Sequence, residues 1–283
     1  MNSVTLPAYA KLNLTLDILR KRPDGYHDLQ MVMQSVSLHD DVTVTLTAGE
    51  GIACRCGDIP GDESNLAVKA ARAFFAQTGV TPRGLDIDIA KRIPAQAGMA
   101  GGSTDGAAVL RALRDLLYPS LPDDALERIG AAVGSDVPYC VRGGTALAEG
   151  RGEILTTLPP APAFHAVLCK PDFAVSTPML FSRVRVDALP ERPDTAGMLR
   201  ALQAGDAAGV ASRVRNVFEA VLPDNCGEVF AIKRRLRALG ADAAAMTGSG
   251  PTVFGLFRDR AAAETAFAAL RRDYRQTYLA QFV

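Results

Sequence analysis

The sequence predicts an α+β protein of two domains, and three observations carry this prediction. Residues 12–18 alternate apolar with polar side chains, a period of two that is typical of a β-strand with one buried face. Residues 107–117 instead place apolar side chains three and four positions apart, which is the period of a helix. A proline-rich connector at 158–162 divides the chain into a first domain, 1–157, and a second, 158–283.

Composition restricts the class of protein. The chain has 283 residues, with 31 basic and 31 acidic side chains and a formal net charge of zero. A broad nucleic-acid surface needs clustered excess positive charge, so we expect no nucleic-acid partner, although a local basic pocket is compatible with this balance. Lys11 interrupts the N-terminal apolar run, and no run reaches the about 20 apolar residues that span a bilayer. We therefore expect a cytoplasmic protein without a membrane partner.

The cysteines favour free thiols over a metal site or disulfides. Their number is odd and their spacing is irregular: Cys54, Cys56, Cys140, Cys169 and Cys226. Cys54 and Cys56 are too close together for the usual zinc pair, and the three histidines have no metal-ligand spacing. The pattern is typical of a reducing compartment, and it leaves any metal site unassigned.

The first domain combines strands with three helices. The predicted strands are 3–6, 12–18, 29–38, 42–47, 85–89 and 141–147. The predicted helices are 65–77, a second that begins with Ser103 as N-cap and stops at Tyr118, and 123–133. Residues 49–61 are polar and rich in turn residues. Lys11 and Asn13 share the polar face of the strand 12–18, which can be a solvated face or part of a site.

The second domain is richer in helices. The predicted strands are 165–169, 243–246 and 252–257. The predicted helices are one that opens at 176–178, then 196–204, 206–221, 227–239 and 260–271. A small-residue turn occupies 247–251.

Residues 91–106 are rich in glycine and alanine and run directly into a helix. Such a turn aims free backbone N–H groups outward at the positive end of the helix dipole, where phosphate binds well. Neither the Walker pattern nor Gly-x-Gly-x-x-Gly occurs in the chain. From these residues alone, a phosphate loop and an ordinary turn are both open.

Two further places carry residue types with chemical potential. Tyr26 and His27 follow a Pro-Asp-Gly turn, where they can stack on and hydrogen-bond a planar ring or can simply form a solvated hairpin tip. Asp136 lies between a helix and Val137-Pro138. It can be a carboxylate aimed into a site or one that caps a turn.

Six separated motifs occur in an order that resembles one superfamily. They are residues 10–14, 24–27, 94–105, 134–138, 150–153 and 247–250. Together they resemble the GHMP kinases, named for galactokinase, homoserine kinase, mevalonate kinase and phosphomevalonate kinase. The motifs at 10–14 and 24–27 are similar to the branch that acts on a cytidine-diphosphate-linked methylerythritol in non-mevalonate isoprenoid synthesis.

The resemblance implies both a fold and a reaction. The expected fold has a ribosomal-protein-like, β-rich N-terminal domain with a glycine-rich phosphate loop, a C-terminal α/β sandwich domain, and an active site in the cleft between them. The implied reaction transfers the γ-phosphoryl group of ATP to the C2 hydroxyl of the cytidine-linked substrate. Asp136 is the implied base and Lys11 its electrostatic partner.

The resemblance also assigns binding residues. Those implied for ATP are Asn65, Lys91, Pro94, Ala95, Gln96, Ala97, Gly98, Met99, Ala100, Gly101, Gly102, Ser103 and Thr104. Those implied for the substrate are Asn13, Tyr26, His27, Thr177, Phe181 and Gly248. Mg²⁺ is expected with ATP and carried mainly by its phosphates, and the chain is expected to be a monomer or weak homodimer.

Departures from the family pattern and two alternative functions accompany this interpretation. Ala97 and Ala100 replace glycines of the loop, which costs little where φ is negative, and Met33 stands where the family often has Phe. One alternative is another GHMP kinase of the mevalonate, homoserine or sugar type. The other is a non-catalytic RNA-binding protein that shares the N-terminal fold, against which the zero net charge argues.

Overall fold

A computed structural model describes residues 2–81 and 83–283, which form two compact units. The first is built from the residues up to Ala10, His39–Ala95 and Ala100–Gly143. The second is built from Lys11–Leu38, Gln96–Met99 and Gly144–Val283. Because each unit is assembled from separate stretches of chain, the predicted division at residue 158 stays a prediction.

Strands and helices of the α+β class alternate along the chain. The strands are β1 (Ser3–Lys21), β2 (His27–Thr47), β3 (Ile52–Arg55), β4 (Gly84–Ala90), β5 (Thr145–Gly150), β6 (Ile154–Thr157), β7 (His165–Lys170), β8 (Arg215–Asn216), β9 (Ala243–Met246), β10 (Val253–Phe257) and β11 (Gln276–Gln281). The helices are α1 (Leu66–Thr78), α2 (Gly101–Leu117), α3 (Asp123–Ala131), α4 (Val137–Arg142), α5 (Thr177–Arg183), α6 (Thr195–Gln203), α7 (Ala207–Ser212), α8 (Gly227–Ala238) and α9 (Arg260–Arg271).

Each unit has its own pairing of strands. In the first, β4 lies between β3, which is parallel to it, and the C-terminal part of β2, which is antiparallel. In the second, the N-terminal part of β2 pairs with β5 and β5 with β6, while β1 pairs in parallel with β8. A separate four-stranded antiparallel sheet in the second unit has the order β11-β7-β10-β9.

Strand β1 is a single strand where the sequence predicted two, and both its faces are covered over residues 12–18, where the sequence predicted one buried face. All residues from Ala8 to Ile18 except Tyr9 are buried, including the four polar side chains Lys11, Asn13, Thr15 and Asp17. Burying them requires partners. Thr15 accepts the Val32 N–H, and Asp17 pairs with Arg192 at 2.8 Å. A solvated polar face over residues 12–18 is therefore excluded.

Two predicted elements are wrong at their boundaries. The predicted strand 141–147 begins only at Thr145, because α4 occupies the preceding residues and ends on Gly143 at a φ of +72°. The predicted helix 206–221 stops at Ser212. There the chain leaves the helix to pair as β8, and the Asn216 side chain caps a 3₁₀ turn over Val217–Val221.

The predicted strands 29–38 and 42–47 are one strand, β2, and the other predicted helices and strands are present with shifts at their ends. Periodicity did not indicate β3, β6, β8, β11 or α4, all of which are six residues or shorter. All five cysteines are free, as predicted. No helix within the described residues is both long and apolar enough to cross a bilayer.

Candidate active site

The central residues of the glycine-rich loop, 96–99, belong to the second unit. Gly98 has a φ of +73°, and a Cβ there would lie 2.3 Å from the Thr247 carbonyl oxygen. Only glycine meets both conditions. The Met99 carbonyl accepts the backbone N–H of Lys11 at 3.2 Å, so the loop is held directly against β1.

Helix α2 begins earlier than the sequence predicted. Its N-cap is Ala100, so Ser103 lies inside the first turn and is not the cap. Ala100 has a left-handed φ of +61°, which costs an alanine about 1 kcal/mol. Ala97 has no such φ. Alanine in place of glycine therefore costs little at Ala97, where φ is not positive, but costs free energy at Ala100, where it is. The N–H groups of the first turn, at Gly101, Gly102 and Ser103, have no partner within the helix by its geometry.

Lys91, just before the loop, is fixed by two buried carboxylates in the first unit. Its Nζ lies 2.5 Å from Asp40 Oδ2 and 2.7 Å from Asp105 Oδ2. Asp40 also accepts the backbone N–H groups of Arg92 and Ile93 at 2.5 and 2.8 Å. Burial lowers the pKa of Lys91, but the two carboxylates outweigh it and leave that pKa above its ordinary value. The ammonium therefore stays charged and anchors the loop entrance.

The ionised form of Asp105 is disfavoured in this cluster. Burial raises the pKa of its carboxyl to about 7, opposed by Lys91 and reinforced by Asp40. Its Oδ1 has no hydrogen-bond partner within residues 2–81 and 83–283. The sequence analysis assigned no role to Asp40, which lies in no motif, and none to Asp105, although Asp105 ends the motif 94–105.

Two other side chains assigned to ATP have structural partners in the first unit. Thr104 Oγ1 donates to the Tyr9 carbonyl at 2.8 Å. Asn65 is the N-cap of α1: its Oδ1 accepts the Ala67 N–H at 2.9 Å and its Nδ2 donates to the Pro60 carbonyl. These contacts orient both groups, while their contact with a nucleotide stays a prediction.

Lys11 and the turn at 247–250 meet in the second unit. Lys11 Nζ donates to Asn13 Oδ1 at 2.8 Å and to the Gly98 carbonyl at 3.0 Å. The same Asn13 oxygen accepts the Gly248 N–H at 2.9 Å, and the Asn13 N–H donates to Thr247 Oγ1 at 3.1 Å. Thus strand, loop and turn converge on one ammonium group.

The Gly248 backbone forms a wall beside this ammonium. Its φ is +56°, and a Cβ there would approach the Gly98 carbonyl oxygen at 2.7 Å and Lys11 Nζ at 3.2 Å. The predicted proximity of this turn to the loop is therefore present within the second unit.

Two residues that the resemblance implies for the substrate, His27 and Phe181, form an aromatic group with Phe218 in the second unit. His27 stacks on Phe181 with ring centroids 5.0 Å apart, and Phe181 packs edge-on against Phe218 at 4.9 Å. Burial and the charge of Lys21 lower the pKa of His27, so its ring is neutral at pH 7. Tyr26 is 57% exposed, with the Arg151 guanidinium 5.2 Å from its ring centroid.

Thr177 and Asp136 complete the predicted set. Thr177 is exposed and shares a 2.6 Å hydrogen bond with Ser249, which connects α5 to the 247–250 turn. Asp136 is the N-cap residue of α4 in the first unit, but its side chain makes no capping hydrogen bond within the described part of the chain. The role of Asp136 as the base stays a prediction.

Family models match most of this framework. Residues 65–144, which include the loop and Asp136, match the GHMP kinases N terminal domain. Residues 198–276, which include the 247–250 turn, match the GHMP kinases C terminal domain. The chain belongs to the GHMP kinases. The resemblance seen in the sequence and the α+β GHMP kinase fold are confirmed.

Curated relatives are similar to this GHMP kinase over its whole length. The 4-diphosphocytidyl-2-C-methyl-D-erythritol kinase of Lachnoclostridium phytofermentans is 41% identical over 100% of this chain and 98% of its own. That of Clostridium tetani is 40% identical over 98% of this chain and 99% of its own.

Solved structures agree with these relatives. A crystal structure of 4-(cytidine 5'-diphospho)-2C-methyl-D-erythritol kinase superposes with a TM-score of 0.85 at 32% identity and covers 99% of each chain. A homoserine kinase from Cytophaga hutchinsonii has a TM-score of 0.76 at 17% identity, covers 100% of this chain and 95% of its own, and shares the fold.

Proposed function

We propose that this GHMP kinase transfers the γ-phosphoryl group of ATP to the C2 hydroxyl of 4-diphosphocytidyl-2-C-methyl-D-erythritol. The observation that carries the proposal is the full-length similarity, at 41% and 40% identity, to kinases named for that substrate. The homoserine kinase of the same fold is only 17% identical, so this comparison gives no support to that substrate. Membership of a kinase family also argues against a non-catalytic RNA-binding role for this chain.

ATP is bound through the loop and the first turn of α2 in this proposal. Backbone N–H groups at Gly101, Gly102 and Ser103 supply donors at the positive end of the helix dipole. Lys91 holds the entrance of the loop through Asp40 and Asp105. Mg²⁺ enters as the metal complex of ATP. Phosphate oxygens and water supply most of its ligands in this proposal.

Transfer proceeds by attack of the C2 hydroxyl oxygen on the γ-phosphorus. The new P–O bond forms as the bond to the departing ADP oxygen breaks, and the hydroxyl proton passes to the Asp136 carboxylate. Lys11 stabilises negative charge on the phosphoryl oxygens. Its ammonium is suited to this role because Asn13 and the Gly98 carbonyl fix it beside the Gly248 backbone.

The cytidine end is bound by the aromatic group in this proposal. Tyr26 offers an exposed ring for stacking, and neutral His27 has one donor and one acceptor nitrogen for the base edge. Phe181 supports the His27 ring from behind. Asn13 and Thr177 contact the methylerythritol or the diphosphate in this proposal. Asn13 accepts the Gly248 N–H and Thr177 bonds to Ser249, so both lie beside the 247–250 turn.

Turnover by the full chain tests the proposal. ADP release and the ³¹P spectrum of the product are measured with ATP, Mg²⁺ and the cytidine substrate, and in parallel with mevalonate, homoserine and galactose. We expect phosphorylation of the cytidine substrate alone. Phosphorylation of one of the other alcohols in its place would overturn the assignment of substrate.

Asp136→Asn tests the base. The amide has nearly the same size as the carboxylate but cannot accept the hydroxyl proton, so kcat is expected to fall by about 10² to 10⁴. The matched control is Asp124→Asn on α3, an exposed carboxylate given the same change, for which wild-type kcat is expected. A kcat for Asp136→Asn close to that of the control would exclude Asp136 as the base.

A further inference from the structure

Asn216 is a buried amide that the sequence analysis left without a role. It is 3% exposed and forms the end of the two-residue strand β8, which pairs in parallel with β1 at Thr15 and Leu16. Burial of a primary amide costs free energy unless its hydrogen-bonding groups are used. In Asn216 they are used on both sides of the amide.

The contacts of Asn216 join two parts of the site. Its Nδ2 donates to the Met246 carbonyl and to the Gly248 carbonyl, both at 2.8 Å. Its Oδ1 accepts the backbone N–H of Phe218 at 3.0 Å. Two carbonyl partners on one side and an N–H partner on the other fix which way the amide faces.

On the Nδ2 side, Asn216 acts on the reacting end of the site through Gly248. The Gly248 carbonyl accepts from Asn216, and its N–H donates to the Asn13 oxygen that also receives Lys11. Because Gly248 has no side chain, its backbone can leave this conformation easily, so the hydrogen bond to its carbonyl helps to hold the turn at its φ of +56°.

On the Oδ1 side, Asn216 acts on the aromatic group. The capped residue is Phe218, whose ring packs edge-on against Phe181, the ring beneath His27. Glu219, one residue further on, accepts the Met246 N–H at 2.8 Å and forms an ion pair with Lys233. The side chains of Asn216 and Glu219 therefore hydrogen-bond to the backbone at the start of the 247–250 turn. Between them, Phe218 packs against Phe181 of the aromatic group.

We propose that Asn216 is a positioning residue that sets the Gly248 backbone beside Lys11 and holds Phe218 against the ring that supports His27. The inference rests on the proposed function, because it assigns the first contact to phosphoryl transfer and the second to recognition of the cytidine end. It adds a residue that touches neither substrate in that proposal.

Two variants separate the two contacts. Asn216→Asp keeps an acceptor for the Phe218 N–H but replaces the donor with an oxygen that faces two carbonyls. We expect kcat to fall by about 10- to 100-fold, the scale of a small misplacement of reacting groups, with KM for the cytidine substrate within about twofold of wild type. Asn216→Ala removes both contacts, so kcat falls and that KM rises by about fivefold or more.

The matched control is Asn225→Asp, the same chemical change at an exposed position of the same unit, for which we expect wild-type kcat and KM. A folded Asn216→Asp with wild-type kcat would overturn the proposal. Failure of both Asn216 variants to fold, judged by circular dichroism, would assign Asn216 to stability alone and also overturn it.

A readout without substrate separates this inference from the proposed function. The ¹H–¹⁵N resonance of Gly248 is expected to shift in Asn216→Asp and to stay in place in Asn225→Asp. If the wild type does not phosphorylate the cytidine substrate, the proposed function fails, while this resonance still tests the contact. An unshifted Gly248 resonance refutes the positioning role whatever the wild type turns over.

Discussion

The replacement Asp105→Asn should make the stability of this kinase less dependent on pH. Asp105 and Asp40 share the single ammonium of Lys91, so the ionised cluster holds two negative charges against one positive charge. Burial is the main reason that the pKa of Asp105 is raised to about 7, and Asp40 adds to it. The amide oxygen of the variant can still accept from Lys91, but the amide cannot ionise.

The sign and size follow from proton linkage. The folded pKa of Asp105, about 7, lies above its ordinary value of 3.8, so between these values the folded protein keeps a proton that the unfolded chain has released. The free energy of unfolding therefore decreases as pH rises through this window, by at most about 1.4 kcal/mol per pH unit for one proton. Over the whole window the loss is at most about 4 kcal/mol.

Urea unfolding followed by circular dichroism from pH 4.5 to pH 8 measures this difference. We expect Asp105→Asn to match wild type within about 1 kcal/mol near pH 5 and to exceed it by about 2 to 4 kcal/mol near pH 8. Asp115→Asn, the same change on the exposed face of α2, is the control and should follow the wild-type curve. Parallel pH curves for wild type and Asp105→Asn would refute the reasoning.

Two further predictions concern the loop and the aromatic group. Ala100→Gly should raise the free energy of unfolding by about 0.5 kcal/mol, since relief of the left-handed alanine exceeds the extra entropy that glycine loses on folding; a lower urea midpoint contradicts this. The His27 ring should titrate below pH 6.5 in an NMR titration. Lys21→Ala should raise this midpoint yet leave it below 6.5, because burial is the larger cause, and an unchanged midpoint would exclude the Lys21 contribution.

Much of the fold could be predicted because the long elements have clear periods. Helices α1, α2 and α9 and strands β4, β7 and β10 lie close to the predicted ranges. The errors occur where tertiary contacts override local pattern. Alternation in β1 predicted one wet face, yet polar residues such as Asn13 and Thr15 are buried because side chains and backbone groups from distant parts of the chain satisfy them.

The start of α2 shows a different limit. Ser103 is a good N-cap type, but the turn that starts the helix is made by Ala100 in a left-handed conformation, and the Thr104 hydroxyl is directed to the Tyr9 carbonyl. Propensity favours a side-chain cap, and packing of the loop instead selects a backbone conformation that alanine adopts only at a cost. A sequence pattern cannot reveal that choice, because both alternatives use ordinary residues.

The buried polar side chains that hold the site residues in place were not predicted from the sequence motifs. Lys91 follows its strand closely enough to be assigned from a motif, yet the two carboxylates that hold it come from β2 and α2, 51 and 14 residues away. Asn216 joins β8 to a turn that lies 32 residues further along the chain. Such partners share no spacing, so sequence reasoning predicts groups that face a ligand and misses the side chains that hold those groups in place. The glycine-rich loop therefore has its entrance fixed by the Lys91 cluster, and Lys11 shares its Asn13 partner with Gly248, whose carbonyl accepts from Asn216.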